Sequence, residues 1–68
     1  MDRNEFLNRC KAESLNFNST TVELMGIRYR PKAYILGFDK KGKPIHTAMI
    51  QDLKSNAVMY ANLEAIKE

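Results

Sequence analysis

The chain has 68 residues, of which 44% are hydrophobic and 28% are charged, and its net charge at pH 7 is +3. This length predicts one domain over residues 1–68 with a small core, and the hydrophobic content is that of a folded chain. Cys10 is the single cysteine and His46 the single histidine, which excludes an intrachain disulfide and leaves a structural zinc site without its four ligands.

The cysteine content and the N-terminal sequence predict the compartment. A free cysteine suits a reducing environment. The charged segment MDRNEFLNRC has no apolar signal region, and no stretch reaches the roughly 20 apolar residues of a membrane span. We therefore expect a cytoplasmic protein that has no membrane partner.

Residues 2–15 begin with the signals of a helix N-terminus. Asp2 is a favourable N-cap, and Glu5 lies three residues later, at the position of the acid in a capping box. Met1 and Phe6 occupy the two positions of a hydrophobic staple. This pattern predicts an amphipathic helix over residues 2–15.

One face of the predicted helix is apolar. Phe6, Leu7 and Cys10 share this face, and Phe17 continues it at helical spacing. We expect Cys10 to be an inert core thiol, because a reactive thiolate needs a neighbouring cation or a helix N-terminus. The polar run NFNST, residues 16–20, competes with the helical backbone and is expected to end the helix.

β-branched and aromatic residues dominate the segment that follows. TTVELM (20–25) and KAYILGF (32–38) predict two strands, and Gly26 marks a turn or bulge between them. The clearest local signal is YILGF-DKKGK-PIHTAMI, in which two apolar runs flank a loop that begins with Asp39 and carries a glycine near its end. This pattern predicts a β-hairpin.

The side-chain alternation in residues 28–38 changes phase at Pro31. Arg28 and Arg30 fall on one face of a regular strand. Tyr34, Leu36 and Phe38 have the same parity as these two arginines, although their side chains are aromatic or apolar. A strand covered on both faces near its C-terminal end would explain this pattern. We favour a one-residue slip at Pro31, which would exchange the two faces.

The tail DLKSNAVMYANLEAIKE, residues 52–68, fits two structures. Met59, Tyr60 and Leu63 lie at helical spacing, whereas residues 57–63 also alternate as a strand would. Its alanine, leucine, glutamate and lysine content favours a helix. We predict a C-terminal helix or strand, with the helix preferred.

Positive charge is concentrated in residues 28–43, which hold six of the eleven basic residues. Lysine and arginine contact phosphates, and tyrosine can stack on bases. The candidate nucleic-acid-binding residues are Arg28, Arg30, Lys32, Tyr34, Lys40, Lys41 and Lys43. The alternative, which we favour, is that these charges keep a sheet edge soluble and block edge-to-edge pairing. The sequence carries none of the common nucleic-acid-binding motifs.

No residue pattern predicts catalysis. His46 has no Cys, Asp or Glu at ligand spacing, and neither Thr47 nor Cys10 belongs to a nucleophile motif. Asp39 and Asp52 suit turns and caps. We predict a non-enzymatic protein that uses no catalytic residue, metal, cofactor or small-molecule substrate.

The second half of the chain contains Gly-Phe-Asp at residues 37–39 and HTAMIQDL at residues 46–53. Around these two segments it resembles small uncharacterised proteins carried on conjugative elements of Gram-positive bacteria. The resemblance brings no activity and no site residue with it. It implies an accessory role near DNA and a bacterial, cytoplasmic origin.

These observations together predict an α+β fold, in which an N-terminal amphipathic helix packs on a small antiparallel β-sheet of about three strands. Two functions remain. The first is a non-enzymatic interaction module that binds a protein partner, or itself as a homodimer, through an exposed sheet edge or a methionine-rich surface. The alternative is a weak nucleic-acid-binding protein that uses residues 28–43.

Overall fold

A computed structural model of the protein describes residues 1–15 and 20–68, which form one long helix, a sheet and a short 3-10 helix. The elements are α1 (Arg3–Ser14), β1 (Val22–Leu24), β2 (Ile27–Phe38), β3 (Pro44–Asp52), β4 (Val58–Asn62) and the 3-10 helix (Leu63–Ala65). Within the described ranges, the sheet is a four-stranded antiparallel meander in the order β1-β2-β3-β4. The α+β prediction is confirmed, with four strands in place of about three.

The N-cap predicted at Asp2 is confirmed. The Asp2 carboxylate accepts hydrogen bonds from the backbone N–H groups of Asn4 and Glu5, at 2.7 and 3.4 Å, which satisfies donors that have no partner inside the helix. The Glu5 carboxyl group contacts Glu68, and this hydrogen bond raises the pKa of Glu5 and lowers the pKa of Glu68. The predicted helix end at residues 16–20, together with Phe17, lies almost entirely outside the described residues.

Two tight turns connect the first three strands. Met25 and Gly26 join β1 to β2, and both have positive φ, 52° and 83°, which is the signature of a type I′ hairpin turn. The predicted hairpin between β2 and β3 is confirmed. The Asp39 carboxylate accepts hydrogen bonds from the N–H groups of Lys41 and Lys43 at 2.8 and 2.9 Å, so this side chain holds the loop closed.

A β-bulge at Lys32 produces the predicted exchange of faces in β2. Pro31 pairs with Ile50 of β3 and Ala33 pairs with Met49, so Lys32 is the extra residue. Before the bulge Tyr29 and Pro31 point into the core, and after it Tyr34 does so. The slip that we favoured at Pro31 is confirmed.

The preference for a C-terminal helix was wrong. Residues 58–62 form β4, which pairs with β3, and only Leu63–Ala65 is helical. Ala61 lies opposite Ala48, so its small side chain fits a close contact between neighbouring strands. At Ala61, pairing in the sheet therefore overrides the helix propensity of alanine.

The chain after β4 folds back to the other side of the sheet. Lys67 forms an isolated antiparallel bridge with Glu23 of β1, through hydrogen bonds of 2.8 and 2.9 Å. The sheet is therefore curled, and α1 packs beside β2 over its interior. The buried core is made of Phe6, Val22, Tyr29, Ala48, Ile50, Leu63 and Ile66.

The hairpin of β2 and β3 projects from this core as an arm, which we define as residues 34–46. The molecule measures 39 × 21 × 17 Å along its principal axes. The side chains of Phe38, Leu36 and Ile45 are exposed by 65, 46 and 44%. Among the described residues, no helix has the length and apolar character that crossing a membrane requires.

Candidate functional site

The outer edge of β4 is the principal candidate site. No strand in the described ranges 1–15 and 20–68 pairs with this edge. The Asp52 N–H donates to the Ala57 carbonyl, so these two residues form a hydrogen-bonded pair between β3 and the start of β4. In an antiparallel ladder every second residue pair is hydrogen-bonded, and Met59 and Ala61 are therefore the β4 residues whose backbone groups bond to β3. The N–H and C=O groups of the alternate residues, Val58, Tyr60 and Asn62, therefore face outward.

The side chains of β4 leave this edge unprotected. The strand sequence VMYAN contains no charged residue and no proline, which are two of the features that prevent edge pairing in natural sheets. The side chains of Val58, Met59 and Tyr60 are exposed by 46, 38 and 62%. We call the outer edge of β4 and these three side chains the β4 surface. It combines free backbone hydrogen-bonding groups with apolar area.

The other sheet edges, unlike the β4 surface, are protected against pairing with another strand. β1 is covered by the bridge from Lys67 to Glu23. β1 pairs only with residues 27–29 of β2, and beyond them the outer edge of β2 carries Pro31 and the bulge at Lys32. Proline and bulges both interrupt edge pairing, and α1 packs beside β2 as well.

The basic residues predicted to bind nucleic acid fall into two separate groups. Arg28 belongs to the first, and its guanidinium is held by the Thr21 hydroxyl and carbonyl at 3.0 and 2.7 Å and by the Glu68 carbonyl at 2.6 Å. Arg30 and Lys32 complete this group, and both approach the Glu13 carboxylate of α1, at 3.7 and 3.8 Å. These three cations therefore contribute to the attachment of α1 and of the C-terminal segment to the sheet.

The second group is the tip of the arm, where Lys40, Lys41 and Lys43 are all exposed. About ten residues of strand separate Arg28 from the tip, which corresponds to roughly 33 Å. Among the described residues, no carboxylate lies within salt-bridge distance of these three lysines. The structure thus does not bring the seven candidate residues together on one surface.

Tyr34, the candidate stacking residue, is half-buried and packs against the core. Its hydroxyl hydrogen-bonds the Nδ1 atom of His46, and the two rings stack with centroids 5.9 Å apart and an interplanar angle of 22°. One face of the Tyr34 ring is therefore covered by His46. His46 lies on the same face of β3 as the buried residues Ala48 and Ile50.

The remaining chemically active side chains do not form a site with the described residues. Cys10 is half-buried against the core, and burial raises the pKa of its thiol to about 11. No cluster of three or more His, Cys, Asp or Glu residues in the described ranges could hold a metal ion.

A shallow groove of about 420 Å³ lies between the β1–β2 turn and the β3–β4 loop, and it is lined by Ile27, Arg28, Asp52, Leu53 and Lys54.

Comparison of the chain with protein families, with curated proteins and with solved structures gives no match. An exposed sheet edge was one of the two surfaces predicted from the sequence, but its position was not, because a helix was preferred to a strand for the tail. The uncharged run VMYAN was the available signal, since its alternating pattern also suited a strand.

Proposed function

We propose that the protein is a non-enzymatic interaction module that binds a second copy of itself through the β4 surface. The observation that carries this proposal is the free edge of β4, which presents outward backbone groups with no charge or proline to block them. We further propose that it acts in the cytoplasm of a bacterial cell, in keeping with its composition and with the resemblance of its second half.

Two β4 strands are self-complementary in an antiparallel arrangement. With Tyr60 on the twofold axis, Tyr60 pairs with Tyr60 of the second copy, and Val58 pairs with Asn62 at both ends. The outward groups of these three residues would form about six backbone hydrogen bonds between the two copies. Because β4 has no charged side chain, the two copies meet without like-charge repulsion.

The small core supplies a reason for association. A monomeric protein of this size exposes about 4,400 Å². The present chain exposes 4880 Å², so it leaves more surface in contact with water than is usual for its size. A chain of fewer than about 80 residues usually needs disulfides, a metal or oligomerisation to reach ordinary stability. The single cysteine cannot close a disulfide within the chain, so burial of the β4 surface offers the needed reinforcement.

Sedimentation equilibrium over a range of protein concentrations tests this proposal, with two substitutions at one position. Tyr60→Pro removes an outward N–H from each copy but keeps the inward bonds of Met59 and Ala61. The loss of two hydrogen bonds, each worth about 0.5–1.5 kcal/mol, should weaken dimerisation roughly 5- to 150-fold. Tyr60→Thr keeps that N–H and removes the ring, so we expect a loss of at most about fivefold.

The outcomes separate the proposal from its alternatives. A dimer that Tyr60→Pro weakens much more than Tyr60→Thr supports backbone pairing at β4. A wild-type protein that stays monomeric at the highest concentration, or a dimer that neither substitution weakens, contradicts it. Leu7 is 41% exposed on α1, although the sequence placed it on the apolar face with Phe6. Leu7→Lys is therefore the control for a general effect of surface change and should leave the dimer intact.

A further inference from the structure

The arm presents an exposed aromatic ring beside a cluster of cations. Phe38 ends β2, and its side chain is 65% exposed although it is large and apolar. Lys40, Lys41 and Lys43 follow in the adjoining loop, and Pro44 lies directly opposite Phe38 on β3. Leu36, which is 46% exposed, lies on the same face of β2 as Phe38, and an exposed apolar patch beside charged residues is typical of a binding site.

The face of the arm that carries Phe38 is aromatic over its length. Tyr34 and Phe38 have the same parity after the bulge, and His46 lies on this face of β3, where it stacks on Tyr34. Leu36 separates the Tyr34–His46 pair from Phe38 and is 46% exposed. The hydrogen bond between Tyr34 and His46 holds these two rings together near the core. Phe38 is therefore the ring on this face of the arm that is available to stack on a ligand.

The loop geometry leaves the lysine side chains available. The Asp39 carboxylate, the nearest negative charge in sequence, accepts hydrogen bonds from the Lys41 and Lys43 backbone N–H groups. These bonds fix the loop while the ammonium groups extend into solvent. The tip is therefore a rigid loop with three cations, which suits a polyanion.

The order of the residues along the arm distinguishes between polyanions. The lysines lie beyond Phe38 at the extreme tip, so insertion into a bilayer would carry ammonium groups into the hydrocarbon ahead of the apolar side chains, which is costly. In duplex DNA the base faces are stacked on one another and closed to Phe38. A single strand offers both phosphates for the lysines and an open base face for the ring.

We infer that the tip of the arm binds single-stranded nucleic acid, with Phe38 stacking on a base and Lys40, Lys41 and Lys43 contacting phosphates. The site excludes Arg28, Arg30 and Lys32, whose partners lie within the fold. The inference is independent of the β4 surface, because the residues of the tip and of that edge are different.

Fluorescence anisotropy with a labelled oligothymidylate of about 12 nucleotides tests the inference, since site sizes of such proteins run from about 4 to 16 nucleotides. Three phosphate contacts predict a slope of log K against log[salt] of about −2, or a loss of roughly 18-fold between about 50 and 200 mM salt. Phe38→Leu keeps an apolar side chain but removes the ring, and should weaken binding roughly 5- to 150-fold.

Two triple variants of equal net charge separate the tip from general electrostatic attraction. Lys40→Ala/Lys41→Ala/Lys43→Ala should abolish the salt dependence. Lys11→Ala/Lys54→Ala/Lys67→Ala removes the same charge from exposed positions elsewhere and should retain most of the binding. Equal losses in the two triple variants, or a Phe38→Leu protein that binds as wild type does, would overturn the inference.

Two competitors complete the test. A duplex of the same length should compete more weakly than the single strand, because its bases are stacked. Vesicles that contain phosphatidylserine should not compete at all. Competition by the vesicles, or equal competition by the duplex, would show that the tip recognises anionic surfaces without base stacking and would reject the assignment to a single strand.

Discussion

The turn between β1 and β2 allows a quantitative prediction, because a methionine occupies a position that favours asparagine or glycine. Met25 has a φ of 52° and is 91% exposed, so its side chain makes little contact that could offset the backbone strain. An L-residue in the left-handed region costs about 1–2 kcal/mol, and asparagine reduces this cost by bonding locally. Met25→Asn should therefore raise the free energy of unfolding by about 0.5–1 kcal/mol.

Urea unfolding of the wild type and of Met25→Asn, followed by circular dichroism, measures this change. For a domain of this size the gain corresponds to a rise in melting temperature of roughly 2–8 °C. Two glycine substitutions calibrate the result, because an added Cβ has no neighbour within 4 Å at either Gly26 or Gly37.

At each glycine, the backbone conformation alone therefore decides whether substitution by alanine raises or lowers the free energy of unfolding. Gly26 has a φ of 83°, so Gly26→Ala should cost about 1–2 kcal/mol. Gly37 lies within β2 without a positive φ, so Gly37→Ala should be neutral or stabilise the protein by up to about 1 kcal/mol. If Met25→Asn is no more stable than the wild type while Gly26→Ala loses stability, the inference that the backbone of Met25 is strained would be refuted.

Three further predictions follow from buried and titrating groups. Phe6→Ala should remove about 3–5 kcal/mol, comparable to the whole stability of so small a domain, and leave the chain largely unfolded by circular dichroism, whereas Leu7→Ala should fold. Cys10 should react with iodoacetamide at pH 8 on the order of a hundredfold more slowly in the folded protein than in urea, because its thiol pKa is about 11; equal rates would contradict its burial. Hydrogen bonds from the Ser55 and Lys54 backbones lower the pKa of Asp52, so its contribution to stability is present above about pH 4 and is lost as the pH falls through the lowered pKa. The difference in melting temperature between wild type and Asp52→Asn should thus be larger at pH 7 than at pH 3, and a constant difference would count against the capped loop.

Local signals in the sequence predicted the elements that are stabilised by nearby residues. The N-cap at Asp2 and the loop that begins at Asp39 depend on contacts within four residues, and both form as predicted. The phase change at Pro31 likewise revealed the bulge, because alternation records which side of a strand is buried.

Long-range contacts account for what the sequence did not reveal. The tail over residues 52–68 has a composition that favours a helix, and the pairing of residues 58–62 with β3 makes that part of it a strand. Arg28 reaches Glu68 across 40 residues, and no local pattern could separate such an engaged arginine from the lysines at the tip of the arm. The division of the basic segment into two groups, and the position of the free edge, both depend on how distant segments pair in the curled sheet.

Hydrogen exchange of the β4 amides, measured by NMR at low and at high protein concentration, tests the central claim most directly. In the monomer the inward amides of Met59 and Ala61 should be protected, and the outward amides of Val58 and Tyr60 should exchange rapidly. Protection of the Tyr60 amide that is absent at low concentration and rises as the dimer forms is the predicted result, and Met59, which is already protected in the monomer, should gain protection as well because dimerisation stabilises the fold. Rapid exchange at Tyr60 under conditions where the protein is dimeric would contradict pairing through β4.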